Sequence, residues 1–206
     1  MKKLFLLLVL LVSTVGFAQK GKGKPAAKNV VLTTVDNISA EIISEKTGKR
    51  VVLFVKKEGK VDTLEVKKLE KVDFKPTSFT VKSFTTQGKK FYHVNWKEEI
   101  KTDTKLKKEN GFVTEDQIWD TETKTLLLGN VHKSSQIKET IFLDANKTAS
   151  HDVEKNRSEG FEFTLNADGS FVLKTKTQNS TYVYNTASSK YEMKGAPKTS
   201  GTKKKK

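Results

Sequence analysis

The sequence predicts an all-β protein, an antiparallel sandwich or small barrel of about ten short strands with at most one or two short helices. Three observations support this prediction. Apolar residues recur mostly at every second position rather than with the period of a helix. Turn-forming Gly, Asn and Asp interrupt the chain at short intervals. Hydrophobic residues make up only 35% of the chain, and an antiparallel sheet tolerates this because one of its faces can remain in water.

The first predicted strands form a meander. Residues 51–55 are a continuous apolar run rich in β-branched side chains, typical of a strand covered on both faces. A turn at 57–60 follows, after which Leu64 and Val66 share one face of the next strand. The segment 36–46 fits either a strand or a helix, and its alternating apolar residues favour a strand.

The same period continues through the middle of the chain. Val72 and Phe74 alternate with charged residues, and Pro76 ends that predicted strand. Farther on, the alternation places Tyr92, Val94 and Trp96 on one side of a strand and His93 and Asn95 on the other. Further strands are predicted over 79–81, 112–119, 125–131 and 136–143.

Two hairpins are predicted near the C-terminus. Residues 161–165 and 171–175 flank the turn at 166–169, where Asn, Asp and Gly tolerate positive φ. A last hairpin joins 182–184 to 191–193. The weak helical signal lies between Ser150, a possible N-cap, and Gly160, a possible C-terminal stop.

Both ends of the chain differ from this central part. A cationic start, an apolar run that is too short to span a bilayer and the small residues Gly16 and Ala18 predict a signal peptide cleaved between Ala18 and Gln19. We therefore expect export to the periplasm, the outer-membrane periphery or the exterior, with no transmembrane helix in the mature chain. The predicted organisation is a signal peptide (1–18), a flexible basic arm (19–35), a β domain (36–197, with a possible subdivision near 109–111) and a disordered basic tail (198–206).

The charge is strongly basic and unevenly distributed. Lys and Arg number 39 against 24 Asp and Glu, which gives a net charge of +15, and the excess is concentrated in 46–108. Such a surface either attracts an anionic envelope polymer or lipid headgroups, or simply keeps the exposed strands soluble. The candidate contacts for an anionic polymer are three lysine pairs: Lys67 and Lys68, Lys89 and Lys90, and Lys107 and Lys108.

Arginine is rare, which bears on the kind of anion. Arg50 and Arg157 are the arginines of the chain, so nearly all of the positive charge is carried by lysine. Readout of base sequence depends largely on the planar, bidentate guanidinium group. We therefore expect no sequence-specific binding of nucleic acid, although a salt-sensitive, non-specific attraction remains compatible with the lysines.

Motifs for catalysis or cofactors are not found in the sequence. The absence of cysteine excludes disulfides, thiolate metal sites and a cysteine nucleophile. The three histidines stand in different predicted elements without ligand spacing, so we predict no metal and no cofactor. His93, Trp96 and Trp119 are candidate ligand contacts, although an aromatic residue on the apolar side of a strand normally belongs to the core.

One segment carries a local resemblance to a known class of protein. The stretch 161–184, FEFTLNADGSFVLKTKTQNSTYVY, contains two strands around an Asn-x-Asp-Gly turn, a polar link and a third strand. In this it resembles small exported lipocalin-like domains of bacteria. The resemblance implies a barrel-like β domain that encloses or presents a small hydrophobic ligand, and it transfers no functional residue.

Two classes of function follow from these observations. The first is an exported, non-enzymatic β-rich protein of the bacterial envelope, which binds an anionic or small hydrophobic ligand or acts structurally. The alternative is an exported hydrolase that acts on glycan or lipid. Convergence of two or more of His93, Asp116, Asp152 and Glu154 in a pocket would favour the hydrolase.

Overall fold

The computed structural model describes residues 29–45, 48–69 and 74–195. Within these ranges the chain forms thirteen β-strands and no helix. The strands are β1 (Val30–Val35), β2 (Ile38–Glu45), β3 (Gly48–Lys57), β4 (Lys60–Leu69), β5 (Ser78–Thr86), β6 (Lys89–Asp103), β7 (Lys107–Asp120), β8 (Thr125–Phe142), β9 (Ser150–Gly160), β10 (Glu162–Leu165), β11 (Phe171–Lys174), β12 (Asn179–Asn185) and β13 (Lys190–Met193).

The described strands form three antiparallel sheets, each made of strands that are consecutive in the sequence. We call them the N-terminal sheet (β1 to β4), the central sheet (β5 to β9) and the C-terminal sheet (β10 to β13). The all-β prediction is confirmed. Each sheet is an open meander, so the described strands form the predicted sandwich rather than the small barrel.

One face of the central sheet packs against the N-terminal sheet. Tyr92, Val94 and Trp96 of β6 are buried in the same apolar cluster as Leu53 and Val66 of the N-terminal sheet. The predicted alternation along β6 is thus confirmed. Because apolar area removed from water contributes roughly 25 cal/mol per Å², this layer is a main source of stability.

The opposite face of the central sheet packs against the C-terminal sheet. Phe91 of β6 and Ile118 of β7 are completely buried there, in a cluster with Phe171 and Tyr184. The aromatic rings contact one another closely, with centroids 4.8 Å apart between Phe91 and Tyr184. The central sheet is therefore the middle of three layers, and β6 contributes residues to both interfaces.

Two of the hairpins turn through residues with positive φ. Glu58 and Gly59 between β3 and β4 have φ of 48° and 79°, and Gln87 and Gly88 between β5 and β6 have 50° and 75°. Paired positive φ values are required by the two-residue turns that match the twist of a hairpin. The first of these turns lies where the sequence predicts it, within 57–60.

Three predictions about the elements are corrected. The possible helix over 150–159 is instead β9, which pairs with β8 from Ser150 to Gly160. A helix this short has little intrinsic stability, so the ladder of hydrogen bonds prevails.

The two strands predicted at 125–131 and 136–143 are a single strand, β8, because its polar middle residues still pair on both sides. The subdivision near 109–111 is wrong as well, since these residues lie within β7 and pair with both neighbouring strands.

The limits of the folded part also differ from the prediction. Val30–Val35 form β1, although the sequence places them in the basic arm, because they complete the N-terminal sheet beside β2. Phe74 lies outside any strand and packs against the first apolar cluster. The predicted signal peptide, its predicted cleavage site at Ala18 and Gln19, Val72 and the predicted basic tail lie outside the described residues.

The far part of the central sheet extends beyond both interfaces. We call it the blade: 97–103 of β6, 107–114 of β7, 131–142 of β8 and all of β9. Every residue of β9 is exposed except the half-buried Val153, and β9 contributes to neither apolar cluster. Both faces of β9 therefore remain in contact with water.

Two strands of the blade, β7 and β8, approach each other closely at Gly111. A Cβ atom at this position would lie 2.2 Å from the backbone oxygen of Ser134, so β7 and β8 approach more closely than a side chain permits. Two residues before Gly111 the Glu109 side chain is buried, with its Oε2 2.7 Å from Lys107 Nζ. The Ser135 hydroxyl donates to Oε1 of the same carboxylate at 2.8 Å. The hydrogen bond from Lys107, followed by that from Ser135, lowers the pKa of Glu109 to about 2.

Replacement of Glu109 by Gln should reduce the loss of stability in acid. Because the folded-state pKa lies near 2 and the ordinary value is 4.5, the ionised carboxylate contributes stability above pH 4.5 that is lost as the pH falls toward 2. When urea unfolding is measured at about pH 6 and at about pH 3, the free energy of unfolding should differ less between the two pH values for Glu109→Gln than for the wild type. Glu99→Gln, at an exposed carboxylate on the neighbouring strand, is the control. If the unfolding free energy falls as much between the two pH values in Glu109→Gln as in the wild type, the ionised Glu109 carboxylate does not stabilise the fold.

Candidate functional site

An open cleft of about 860 Å³ lies between the central sheet and the first strand of the C-terminal sheet. Its floor consists of β5 to β8, and its wall consists of β10 with the loop that follows it. Clefts of this size bind small ligands in many proteins. The residues lining it are Lys82, Ser83, Phe84, His93, Asn95, Lys97, Thr114, Asp116, His132, Glu162, Phe163, Thr164, Leu165, Asn166 and Ala167.

The floor of the cleft contains a buried carboxylate held by two neighbours. Asn95 and Asp116 are direct cross-strand partners on β6 and β7, and Asn95 Nδ2 donates to Asp116 Oδ1 at 2.8 Å. His93 Nε2 lies 2.9 Å from the same oxygen. Since an ionised carboxylate only accepts hydrogen bonds, His93 Nε2 is the donor in this contact. The imidazole also contacts Phe163 of the wall, with ring centroids 4.9 Å apart.

A second histidine lies on the same floor, two strands away from the first. His132 on β8 is the cross-strand partner of Thr114, and its Nε2 lies 3.0 Å from the hydroxyl oxygen of Ser158 on β9. A hydroxyl within this distance of an imidazole has the geometry of a nucleophile and its base. Ser158 itself is exposed on the blade beside the cleft.

The rim of the cleft carries two lysines. Lys82 on β5 pairs directly with His93, and Lys97 lies four residues beyond His93 on the same face of β6. Both are exposed, and within the described ranges neither forms an ion pair. Glu162 stands on the opposite wall. The cationic side of the cleft is therefore the central sheet.

The wall is held in place by backbone contacts at both of its ends. Asn130 Nδ2 donates to the carbonyl oxygen of Phe161 at 2.9 Å, where the chain passes from β9 to β10. The turn after β10 is closed by the Asn166 N–H, which donates to the Ser170 carbonyl oxygen at 2.8 Å. Ser170 donates to Asp168 through both its hydroxyl and its backbone N–H, and these bonds lower the pKa of Asp168. The wall is thus preorganised.

The candidate ligand contacts named from the sequence occupy different places. His93 lies on the cleft floor. Trp96 is completely buried and stacks on Phe79, with centroids 5.8 Å apart. Trp119 is 7% exposed, and its Nε1 donates to Gln117 Oε1 at 2.8 Å. Both tryptophans are core residues, which corrects their assignment as ligand contacts, because they lie on the apolar face of the central sheet.

The lysine pairs do not form one surface, because adjacent residues of a strand point to opposite faces. Lys67 is half-buried and bonds to Glu98 and Glu115, whereas Lys68 is exposed. The other four lysines are engaged locally: Lys89 lies over Tyr184, Lys90 pairs with Asp36, Lys107 pairs with Glu109 and Lys108 lies 3.9 Å from Asp103. The predicted polyanion contacts are therefore dispersed.

The convergence that would favour a hydrolase occurs for two of the four named residues, which meets the condition set from the sequence. His93 and Asp116 meet in the cleft, as described above. Asp152 and Glu154 lie on β9 instead, where they bond to Thr140 and Lys138. The sequence does not predict the His132–Ser158 contact, because 26 residues separate the two and no local motif marks them. Among the described residues no group of three or more His, Asp or Glu side chains is arranged to hold a metal ion.

Comparison of the chain with protein-family models, with curated proteins and with solved structures returns no match. The lipocalin-like resemblance therefore stays a prediction. A search of the described residues for a helix long and apolar enough to cross a membrane finds none.

Proposed function

We propose that this protein is an exported, non-enzymatic binding protein of the bacterial envelope, and that its cleft holds a small ligand with an anionic group and an apolar part. The observation that carries the proposal is the position of Lys82 and Lys97, two lysines without an ion pair among the described residues, on the rim of a preformed cleft. An anionic group placed between them gains charge-assisted hydrogen bonds. Asn95 lies between their strand positions, but its Nδ2 already donates to Asp116 Oδ1 and to the Glu115 carbonyl oxygen, so the two lysines remain the donors for the anionic group.

The apolar part of the ligand would contact the wall and one end of the floor. Phe84, Phe163 and Leu165 line the cleft and are half-buried, so a ligand can cover the apolar surface that they leave in water. A site with a few polar groups and an apolar lining is typical for small amphipathic molecules. The resemblance of 161–184 to lipocalin-like domains points to the same ligand class.

Decanoate, which joins a carboxylate to an alkyl chain, is a suitable probe. In ¹H–¹⁵N spectra of the mature chain, decanoate should shift the amides of Lys82, His93 and Phe163. Acetate, which lacks the chain, and decanol, which lacks the charge, should shift them less. Lys97→Ala should weaken decanoate binding by at least about tenfold, since a charged hydrogen bond contributes roughly 1.5 to 3 kcal/mol.

Lys101→Ala is the matched control for this experiment. Lys101 is an exposed lysine on the same face of β6 but lies outside the cleft. Its replacement removes the same charge from the protein and should leave decanoate binding almost unchanged. Equal weakening in both variants would reveal non-specific attraction, and the absence of shifts at the cleft with decanoate would contradict the proposal.

The second candidate function is a hydrolase that acts on an ester of a lipid or glycan. It is favoured by two histidines in one cleft, one beside a buried carboxylate and one beside a hydroxyl. Steady release of nitrophenolate from p-nitrophenyl decanoate, lost in Ser158→Ala and in His132→Ala, would establish this activity and would contradict the non-enzymatic proposal. Release at the rate of free imidazole in solution is the result expected here.

A further inference from the structure

The outer end of the blade consists of two loops that are joined to each other. We define the blade tip as residues 104–106, between β6 and β7, together with 141–149 at the end of β8 and in the loop that follows. The Thr140 N–H donates to the Leu106 carbonyl oxygen at 2.8 Å and connects the two loops. The Leu143 N–H donates to the Ala149 carbonyl oxygen at 2.9 Å and closes the longer one.

The tip exposes three large apolar side chains. Leu143 is 65% exposed, Leu106 48% and Ile141 40%. None of the three belongs to either apolar cluster, and the tip is the part of the blade farthest along the strands from both covering sheets. Single apolar residues scattered over a surface are ordinary, but three of them on one pair of joined loops form a small exposed apolar patch.

Within the blade tip, Lys105 and Lys147 stand against a single carboxylate, Asp144, so the tip carries a small excess of positive charge. Lys105 and Lys147 form no ion pair among the described residues, and Lys147 Nζ lies 5.6 Å from the ring centroid of Phe142. The carboxylates nearby have partners: Asp144 accepts from the N–H groups of Thr148 and Ala149, Asp152 bonds to Thr140, Glu139 to Lys155 and Glu154 to Lys138.

The loop that carries Leu143 is held by the side chain of Asp144. Its two carboxylate oxygens accept hydrogen bonds from the Thr148 N–H at 3.0 Å, the Thr148 hydroxyl at 2.8 Å and the Ala149 N–H at 2.8 Å. The backbone hydrogen bond from Thr148 is the main reason that the pKa of Asp144 is lowered. Leu143 and Lys147 are therefore presented on a fixed loop, which reduces the entropy lost when either is immobilised on binding.

From these observations we propose that the blade tip docks on a lipid bilayer that contains anionic headgroups. Leu106, Ile141 and Leu143 would enter the interface between headgroups and acyl chains, and Lys105 and Lys147 would contact the headgroup phosphates. Buried apolar side chains and lysines near an anionic surface add to each other in peripheral membrane binding. The inference concerns a surface remote from the cleft and does not depend on the proposed ligand.

A protein partner or a second copy of the chain fits the tip less well. A stable protein interface engages about 20 to 30 residues on each side, whereas the tip offers three apolar residues on two loops. A bilayer imposes no such requirement, because a few inserted side chains and a few cations suffice for reversible binding. The small size of this apolar patch thus favours a lipid surface over a protein partner.

Vesicle binding of the mature chain tests the proposal. Vesicles of phosphatidylcholine mixed with phosphatidylglycerol should bind the protein, and vesicles of phosphatidylcholine alone should bind it at least about tenfold more weakly. The double variant Leu106→Ser with Leu143→Ser should reduce binding to the mixed vesicles by about tenfold or more. Lys105→Glu with Lys147→Glu, which changes exposed side chains only, should have a similar effect.

The matched control places the same chemical change elsewhere. Val61 is 57% exposed in β4 and Leu126 is 43% exposed at the start of β8, at the other end of the central sheet, so the double variant Val61→Ser with Leu126→Ser removes comparable apolar surface away from the tip. It should retain wild-type binding. The proposal is overturned if the wild type does not bind the mixed vesicles, if both vesicle types bind it equally, or if the control loses as much binding as the tip variants. The lysine-rich termini are common to all variants, so differences between variants report on the tip.

Discussion

Gly160→Ala should be among the most destabilising single substitutions in this protein, with a loss of about 3 to 5 kcal/mol in the free energy of unfolding. Gly160 has a φ of +80°, and a Cβ atom there would lie 2.1 Å from the carbonyl oxygen of Val131. The methyl group would meet backbone rather than a flexible side chain, so β8 would have to move. Urea unfolding of the purified variant measures the change.

Gly59→Ala separates the two causes of that loss. Gly59 has nearly the same φ, +79°, but nothing lies within 4 Å of the position that the added methyl group would occupy. Only the backbone strain remains at this position, and we expect a loss of about 1 to 2 kcal/mol. Similar losses in the two variants would contradict the claim that close packing against Val131 makes Gly160 necessary.

Trp96→Ala should cost about 3 to 5 kcal/mol of unfolding free energy, as expected for a large aromatic residue removed from a core. Trp96 is completely buried, stacks on Phe79 and has Lys67 Nζ 5.3 Å from its ring. The same substitution would leave the salt bridges of Lys67 with Glu98 and Glu115 beside an empty space. Thermal and urea unfolding both measure the change.

Phe112→Ala is the control for the core substitution. Phe112 is 46% exposed on β7, and we expect its truncation to change the unfolding free energy by less than about 1 kcal/mol. A Trp96→Ala variant as stable as Phe112→Ala would show that Trp96 is not a core residue. Trp96 would then again be a candidate ligand contact.

The sequence predicts the fold where hydrophobic alternation is strong. Tyr92, Val94 and Trp96 point to one side of β6 in the structure, as their spacing indicates, because that face is fully covered by another sheet. The alternation gives no guidance in β9, where both faces meet water and apolar residues no longer recur at every second position. The residues of β9 fit a short helix equally well for this reason, since only pairing with β8 reveals them as a strand.

The sequence predicts which side chains share a face of the cleft floor, but it does not predict how the cleft is assembled. The alternation places His93 and Asn95 on the polar side of β6, but their contact with Asp116 depends on the register between β6 and β7. That register is set by packing and by the hairpin at 104–106, neither of which leaves a local pattern in the sequence. The wall formed by β10 depends on the docking of a separate sheet and has no counterpart in the spacing of residues.

The order of the strands has a consequence for how the chain folds. Every described strand pairs with the strand next to it in the sequence, in all three sheets. Closing short connections costs little chain entropy, so each meander can form from local contacts before the layers come together. We therefore expect the late, rate-limiting event to be the collapse of two preformed sheets onto the faces of β6, and substitutions at Tyr92 or Phe91 to slow folding more than substitutions in β9.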